Sequence, residues 1–239
     1  MLLVFKSLSI GVLALLLTAC GALKARHAAA PKPEEPVSRP VLPPGRLYRV
    51  DEHQSELRIL VYRAGPLARL GHNHVMVNRA ISGAVSLADA AGASEFWLNV
   101  PVAGFVVDDA EARREEGADF AGDVPDDAKS GTLHNMLSAA LLDAEKFPEI
   151  TVESVAASGA QNGAAAGAST ATVAISVAGH ESKVDVPFTL QVDSRRLSAT
   201  GSLELRQTLL GLTPFSLMLG ALQVQDAMTI KFDIVAVSE

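Results

Sequence analysis

The sequence predicts an all-β protein: one antiparallel β-barrel of about eight strands, with one helix and a long acidic loop. Apolar and polar residues alternate with a period of two along most of the chain after residue 47, as in strands with one buried and one wet face. Short turn sequences join successive segments, which indicates antiparallel neighbours. Closure into a barrel would remove the exposed sheet edges, although a two-sheet sandwich also fits the pattern.

Several segments carry this alternation. In 184–192, valine, phenylalanine and leucine occupy every second position, with aspartate, threonine and glutamine between them. The sequences AGHES (178–182) and VDSRR (192–196) are typical turns on either side of this segment. The predicted strands, in chain order, are 55–63, 81–87, 94–103, 150–155, 171–178, 184–192, 197–206 and 228–234.

One helix is predicted at 132–147, where leucine, methionine and alanine fall at helical spacing and Pro148 follows. Before it, residues 108–127 hold nine carboxylates against two arginines, an excess that equals the net charge of -7 of the whole chain. We expect this segment to be a solvated loop, since its Asp, Asn and Gly spacing does not fit a calcium loop. The small residues of 158–170 predict a second, flexible loop.

The N-terminal residues predict an export signal with a lipid anchor. Lys6 precedes the apolar run 8–19, which is shorter than the roughly 20 residues that a spanning helix needs. Leu17 to Cys20 resemble a bacterial lipobox, in which the signal is cut before the cysteine and the cysteine is acylated. Gly21, rather than aspartate, then favours transfer to the outer membrane. The expected location is the bacterial cell envelope, lipid-anchored and facing the periplasm.

The rest of the N-terminal region is rich in alanine and proline and predicts an extended tether. The predicted division of the chain is a signal peptide at 1–19, acylated Cys20 and the tether at 20–46, and the barrel domain at 47–239.

The composition and the missing motifs exclude several function classes. An acidic chain without a basic face is a poor partner for nucleic acid. A single cysteine excludes an internal disulfide framework and multi-cysteine metal sites. The markers of triad hydrolases, P-loop enzymes and dinucleotide-binding enzymes are not present. A binding protein without a cofactor is therefore expected rather than an enzyme.

The histidines of GHNHVMV (71–77) support an alternative function. His72 and His74 would project from the same face of a strand, and His134 could supply a third ligand for zinc, in a metal-binding protein or a zinc-dependent enzyme. Two other interpretations are a site for a polar ligand and a structural role, with the imidazoles bonded to backbone at a loop-to-strand corner.

Two stretches, YRVDEHQSELRILV (48–61) and LHNMLSAALLDAEKFPEITVES (133–154), resemble the YceI-like family. The resemblance covers about Tyr48 to Val237. It implies an exported bacterial protein with a lipocalin-like β-barrel that binds a polyisoprenoid or related long-chain lipid, and it makes a homodimer worth testing. The residues that match the family's signatures are Asp51, Ser55, Asp143, Phe147, Pro148, Ile150 and Ser154.

The alternation predicts which side chains face the barrel interior, but it does not decide between a filled core and a tunnel. If the ligand implied by the resemblance is bound, its uncharged tail would lie inside and a charged head near Arg63, Arg69 or Arg79, because no inward lysine or arginine cluster is predicted. The candidate ligand-binding residues are Ile59, Val61, Phe96, Leu98, Val100, Val186, Phe188, Leu190, Leu203, Ile230 and Phe232.

The segment 209–224 is apolar at nearly every position, yet Pro214 and two glycines interrupt it. Three interpretations fit: a lid or ligand entrance at one end of the barrel, a strand and helix packed into the core, or a loop that dips into a membrane. An exposed apolar surface here, or the acidic loop 108–127, would also suit a filled barrel that acts as an envelope interaction module.

Overall fold

The computed structural model describes residues 40–88, 94–158 and 167–238, which form twelve β-segments and two α-helices. The β-segments are β1 (Arg46–Val50), β2 (Glu56–Ala64), β3 (His74–Asn78), β4 (Ser82–Leu87), β5 (Glu95–Pro101), β6 (Phe105–Val107), β7 (Glu149–Ser158), β8 (Gly167–Val177), β9 (His180–Val192), β10 (Arg196–Arg206), β11 (Ser216–Leu217) and β12 (Leu222–Ser238). The helices are α1 (Ala110–Glu115) and α2 (Asp126–Leu137). Short 3-10 turns lie at Ala68–Leu70, Val102–Gly104, Ala118–Phe120, Gln207–Leu210 and Met218–Gly220.

The β-segments form one closed antiparallel barrel of eight strands, with β11 as a short addition to β12. Three strands are bent, and each contains two segments: β1 with β2, β3 with β4, and β5 with β6. The strand β12 pairs with β10 on one side and with β1 and β2 on the other, which closes the barrel. The predicted barrel of about eight strands is confirmed, and the sandwich alternative is wrong.

Buried polar side chains replace backbone pairing where two of the strands bend. Between β1 and β2, the Ser55 hydroxyl donates to the Val235 carbonyl (3.2 Å) and accepts from the Val235 amide (3.0 Å). Next to β4, Asn78 Nδ2 donates to the Pro101 carbonyl (2.8 Å) and Asn78 Oδ1 accepts from the Ala80 amide (2.9 Å). Unpaired backbone groups are costly when buried. These two side chains therefore let the strands bend without losing hydrogen bonds.

The period-two pattern sorts side chains to the two sides of the barrel wall. On β3, His74 and Met76 line the interior, whereas Val75 and Val77 pack in a second cluster on the outside. That outer cluster also contains Leu60, Ala112 and Phe120, so α1 and the turn that follows it cover this part of the wall. The predicted alternation therefore fixes the inner face, while the outer face is partly buried by the helical insertion.

The predicted helix at 132–147 has the wrong bounds, since α2 begins at Asp126 and ends at Leu137. After it, the chain continues in turns, and Asp143 takes a left-handed conformation with φ 46°. Leu141 still packs against the interior cluster in this non-helical stretch. The apolar spacing that predicted a helix therefore extends past the helix end, because successive turns keep these side chains on the same side.

The expectation of a solvated loop at 108–127 is also wrong in part. The segment contains α1 and a 3-10 turn, and two of its carboxylates are buried against the barrel. The Glu116 side chain is 4% exposed and pairs with Arg58 (3.2 Å) and Lys231 (2.5 Å). Asp108, 1% exposed, belongs to the candidate site. The remaining acidic side chains are mainly exposed, but the segment is docked on the barrel.

The small-residue loop predicted at 158–170 is shorter than expected, because β7 extends to Ser158 and β8 begins at Gly167. The signal peptide 1–19, Cys20 and most of the tether lie outside the described residues. Among the helices that are described, none has the length and apolar character to cross a membrane.

Candidate functional site

The barrel interior contains an apolar cavity of about 420 Å³. This volume lies within the range of about 300–1,000 Å³ that is usual for small-molecule sites. All of the residues predicted to face the interior line this cavity, and the inward phenylalanines do not fill it. The lining residues from that set are Ile59, Val61, Phe96, Leu98, Val100, Val186, Phe188, Leu190, Leu203, Ile230 and Phe232.

Polar lining residues gather at one end of the cavity, where β2 ends and β3 and β12 begin. We call this end the mouth. Strand pairing brings these strand ends together, because Val61 on β2 pairs with His74 on β3 and Ala64 on β2 pairs with Gln223 on β12. At the opposite end the polar lining residues are Ser94 and Glu95. The polar lining residues of the mouth are Arg63, His72, His74, Thr132, Asn135, Gln207 and Gln223.

A buried hydrogen-bond network holds His74 at the mouth. Its Nδ1 lies 2.6 Å from Asp108 Oδ2, and its Nε2 lies 3.4 Å from the Thr132 hydroxyl. The other carboxylate oxygen of Asp108 accepts from the Val75 amide (3.0 Å) and from Arg113 Nη1 (2.5 Å). The same Arg113 nitrogen donates to the Asn73 carbonyl (2.7 Å). Three chain segments therefore fix the orientation of one imidazole ring.

The Asp108 carboxyl stays ionised despite its burial. Burial alone would raise the pKa of this group, but hydrogen bonds from His74, the Val75 amide and Arg113 outweigh it and hold the pKa of Asp108 below its usual value. Asp108 also has a left-handed backbone conformation, with φ 56°. Such conformations cost about 1–3 kcal/mol and persist where the surroundings impose them. Here the three donors to the carboxylate impose it, together with the Asp108 amide, which donates to the Val75 carbonyl (2.7 Å).

The three histidines predicted as a metal set do not form one. The ring centroids of His72 and His74 are 6.0 Å apart, and His134 is exposed on α2. In the part of the chain that the structure describes, no group of three or more His, Cys, Asp or Glu residues could hold a metal ion. The expected backbone hydrogen bonds of the imidazoles are also wrong for His74, whose partners are side chains. The metal alternative therefore has no support.

One of the three arginines predicted near a ligand head lines the mouth. This is Arg63, whose Nη1 donates to the Gly71 carbonyl (2.7 Å). Arg69 lies in the exposed turn 68–70, and Arg79 pairs with Glu56 (2.6 Å) away from the cavity lining. Of the three alternatives given for the position of the head, only Arg63 therefore lies at the cavity.

The apolar segment 209–224 forms one wall of the mouth and combines the first two interpretations given for it. Its inward residues line the cavity, and its end begins β12. Its remaining large apolar side chains are exposed, with Leu219 fully so. The inward residues are Leu210, Leu212, Phe215, Leu222 and Val224, and the most exposed ones are Leu209, Leu217, Met218 and Leu219.

A family model of the YceI-like domain matches residues 48–236, which is most of the chain. The chain belongs to the YceI-like family. The resemblance read from the sequence motifs is thereby confirmed, as is the lipocalin-like barrel that it implied.

Two solved structures share the YceI-like fold at low sequence identity. BcnA from Burkholderia cenocepacia is 18% identical, with a TM-score of 0.56 over 78% of this chain and 98% of that protein. A polyisoprenoid binding domain from Saccharophagus degradans, implicated in plant cell wall breakdown, is 12% identical, with a TM-score of 0.56 over 80% of this chain and 98% of that domain. At these identities the likeness establishes the fold alone. None of the curated proteins compared with the chain matches it in sequence.

The YceI-like signature residues have structural roles in this chain. Ser154 lies at a bulge of β7, where its hydroxyl accepts from the Phe96 amide (2.9 Å). The Asp143 carbonyl accepts from the amide of Phe147 (2.9 Å), which closes the turn before β7. Ile150 lines the cavity. These residues build the barrel, and the residues of the mouth are a separate set.

Sequence reasoning missed Asp108, which holds His74, and four polar lining residues of the mouth: Thr132, Asn135, Gln207 and Gln223. Asp108 belonged to a segment expected to be solvated. Thr132 and Asn135 belonged to a helix expected to pack by its apolar face alone. One signal was available for His74. Its place in the alternation puts the histidine on the inward face of an apolar strand, and a buried histidine requires a polar partner inside the barrel.

Proposed function

We propose that this protein binds one long-chain, polyisoprenoid-type lipid inside its barrel. The observation that carries the proposal is the open cavity, which persists although its predicted aromatic side chains all point inward. The structural neighbour from Saccharophagus degradans, described as polyisoprenoid binding, supports the same class of ligand. The protein is proposed to act by binding rather than by catalysis.

The chemistry of the lining favours an uncharged tail. Each methylene transferred from water to such a surface contributes about 0.8 kcal/mol, so a tail of many carbons would bind strongly without any polar contact. A charge placed deep in the cavity would find no partner among the apolar residues of the middle strands, and unpaired buried charges are very costly. We therefore place the tail between the middle strands and the head at the mouth.

Native mass spectrometry of the protein purified from its host would test this proposal. We expect an added mass that disappears only on extraction with organic solvent. The Ala199→Trp variant would place an indole inside the cavity and should lose the added mass, because Ala199 lines the cavity. The matched control is Thr200→Trp, which adds the same side chain at an exposed neighbouring position. Equal lipid retention by both variants would contradict binding inside the barrel.

We further propose that the protein is held at the bacterial outer membrane by acylated Cys20 and faces the periplasm. The support is the coincidence of the apolar run 8–19, the lipobox-like sequence and the single cysteine of the chain. Two or more acyl chains attached to this one residue would anchor the protein stably. A Cys20→Ser variant should incorporate no labelled fatty acid and should leave the membrane fraction. Fatty-acid labelling that survives this substitution would contradict the assignment of the anchor.

A further inference from the structure

From the His74 network we infer that the mouth binds a neutral hydroxyl head group, as in a long-chain isoprenoid alcohol, through His74 Nε2. This inference rests on the proposed function, because it concerns the head of the lipid whose tail lies in the barrel. It names the chemical class of the head and the atom that recognises it.

The ring of His74 is placed to meet a ligand. His74 is the first residue of β3 and lies on its inward face, two residues before Met76, and both side chains line the cavity. Its side chain is 12% exposed, so the ring edge is accessible while most of the ring is held by its neighbours. The His74 ring is therefore the inward side chain of β3 that lies nearest the mouth, at the boundary with the apolar part of the cavity.

The network also fixes which ring nitrogen carries the proton. The Asp108 carboxylate can only accept a hydrogen bond, so Nδ1 carries a hydrogen and donates to Oδ2 (2.6 Å), which is the Nδ1–H tautomer of the ring. The other nitrogen, Nε2, then presents a lone pair toward the mouth. Its neighbour there is the Thr132 hydroxyl at 3.4 Å, a long and weak contact. An acceptor in this position selects a ligand that can donate a hydrogen bond.

The other mouth residues suit a neutral head better than an anionic one. Amide side chains, which both donate and accept, come from Asn135, Gln207 and Gln223. Arg63 is the single lysine or arginine among the described lining residues, and it already donates to the Gly71 carbonyl. The charge of Arg113 is matched by Asp108, so the network adds no net positive charge. A phosphate head would therefore meet little compensation for its lost hydration.

The test compares three probes of equal chain length: geranylgeraniol, geranylgeranyl phosphate and the corresponding hydrocarbon. Binding of each probe to the delipidated full-length protein is measured for the unchanged protein, His74→Leu and His134→Leu. We expect the unchanged protein to prefer the alcohol over the hydrocarbon by about 2- to 13-fold, as for one net hydrogen bond. We expect His74→Leu to abolish this preference. The matched control is His134→Leu, which makes the same substitution at an exposed position of α2 outside the cavity lining and should keep the preference.

A second measurement on the unchanged protein does not depend on the stability of the variants. With ¹⁵N-labelled histidine, geranylgeraniol should shift the His74 Nε2 resonance, whereas the hydrocarbon should leave it in place. Three results would each overturn the inference while leaving tail binding intact. They are an unchanged alcohol preference in His74→Leu, a preference for the phosphate, and an Nε2 resonance that does not shift when the alcohol is added. Failure of all three probes to bind would instead overturn the proposed function, and the inference with it.

Discussion

Replacing Asp108 by alanine should destabilise the barrel strongly. The substitution leaves the buried Arg113 side chain, 8% exposed, without its counter-charge. It also removes the acceptor of His74 and of the Val75 amide. Removing one partner of a buried ion pair typically costs about 3–5 kcal/mol. For a domain of this size, about 4 kcal/mol corresponds to a fall in Tm of roughly 8–16 °C.

Denaturant unfolding followed by tryptophan fluorescence measures this loss, and Asp109→Ala is the matched control. Asp109 is the adjacent carboxylate and caps α1, where its side chain accepts from the amides of Glu111 and Ala112. Loss of a helix cap costs about 1 kcal/mol. The double variant Asp108→Ala, Arg113→Met should recover part of the stability, because it removes the unpaired charge. A loss for Asp108→Ala no greater than for Asp109→Ala would refute the role given to the network.

Three other predictions follow from named contacts. The stability difference between the unchanged protein and Asp108→Ala should be fully present above about pH 5 and should shrink below about pH 4. The reason is that the pKa of Asp108 is lower in the folded than in the unfolded protein, so protonation of the carboxylate removes its stabilising contribution. An equal difference at pH 3 and pH 7 would contradict this. Ser55→Ala should cost about 1–3 kcal/mol in denaturant unfolding, since the buried Val235 amide loses its acceptor, whereas the Val235 carbonyl keeps the Asp51 amide (2.8 Å) as a donor. A change below 0.5 kcal/mol would count against the bridging role. Asp226→Ala should increase hydrogen exchange at the Thr208 amide, whose acceptor is Asp226 Oδ1 (2.9 Å), and unchanged protection would show that this contact is not formed in solution.

The period-two pattern was enough to predict an antiparallel β-protein and its inner face, although by itself it left a sandwich open as the alternative to a barrel. On β12, for example, Ile230 and Phe232 both line the cavity, as their spacing predicted. The alternation works because a strand offers two faces only, so one correct assignment fixes every second residue. The size of the cavity could not be predicted in this way, since it depends on how side chains from opposite walls meet.

The mouth could not be predicted from the sequence, because its parts are far apart along the chain. His74 and Asp108 become neighbours when β6 pairs with β3, and Asp108 comes directly after β6. Thr132 then reaches the same ring from α2. The acidic composition around Asp108 indicated solvent, since counting charges does not reveal which carboxylate is turned toward a strand. The burial of Asp108 beside His74 therefore depends on long-range strand pairing, which local composition does not reveal.

A crystal structure of the protein purified from its native host would test the central claim most directly. The account predicts continuous, elongated electron density along the cavity, from the region of Phe232 toward His74, with its polar end at the mouth. A cavity that contains only separate water molecules, or one that is closed by its own side chains, would contradict the account.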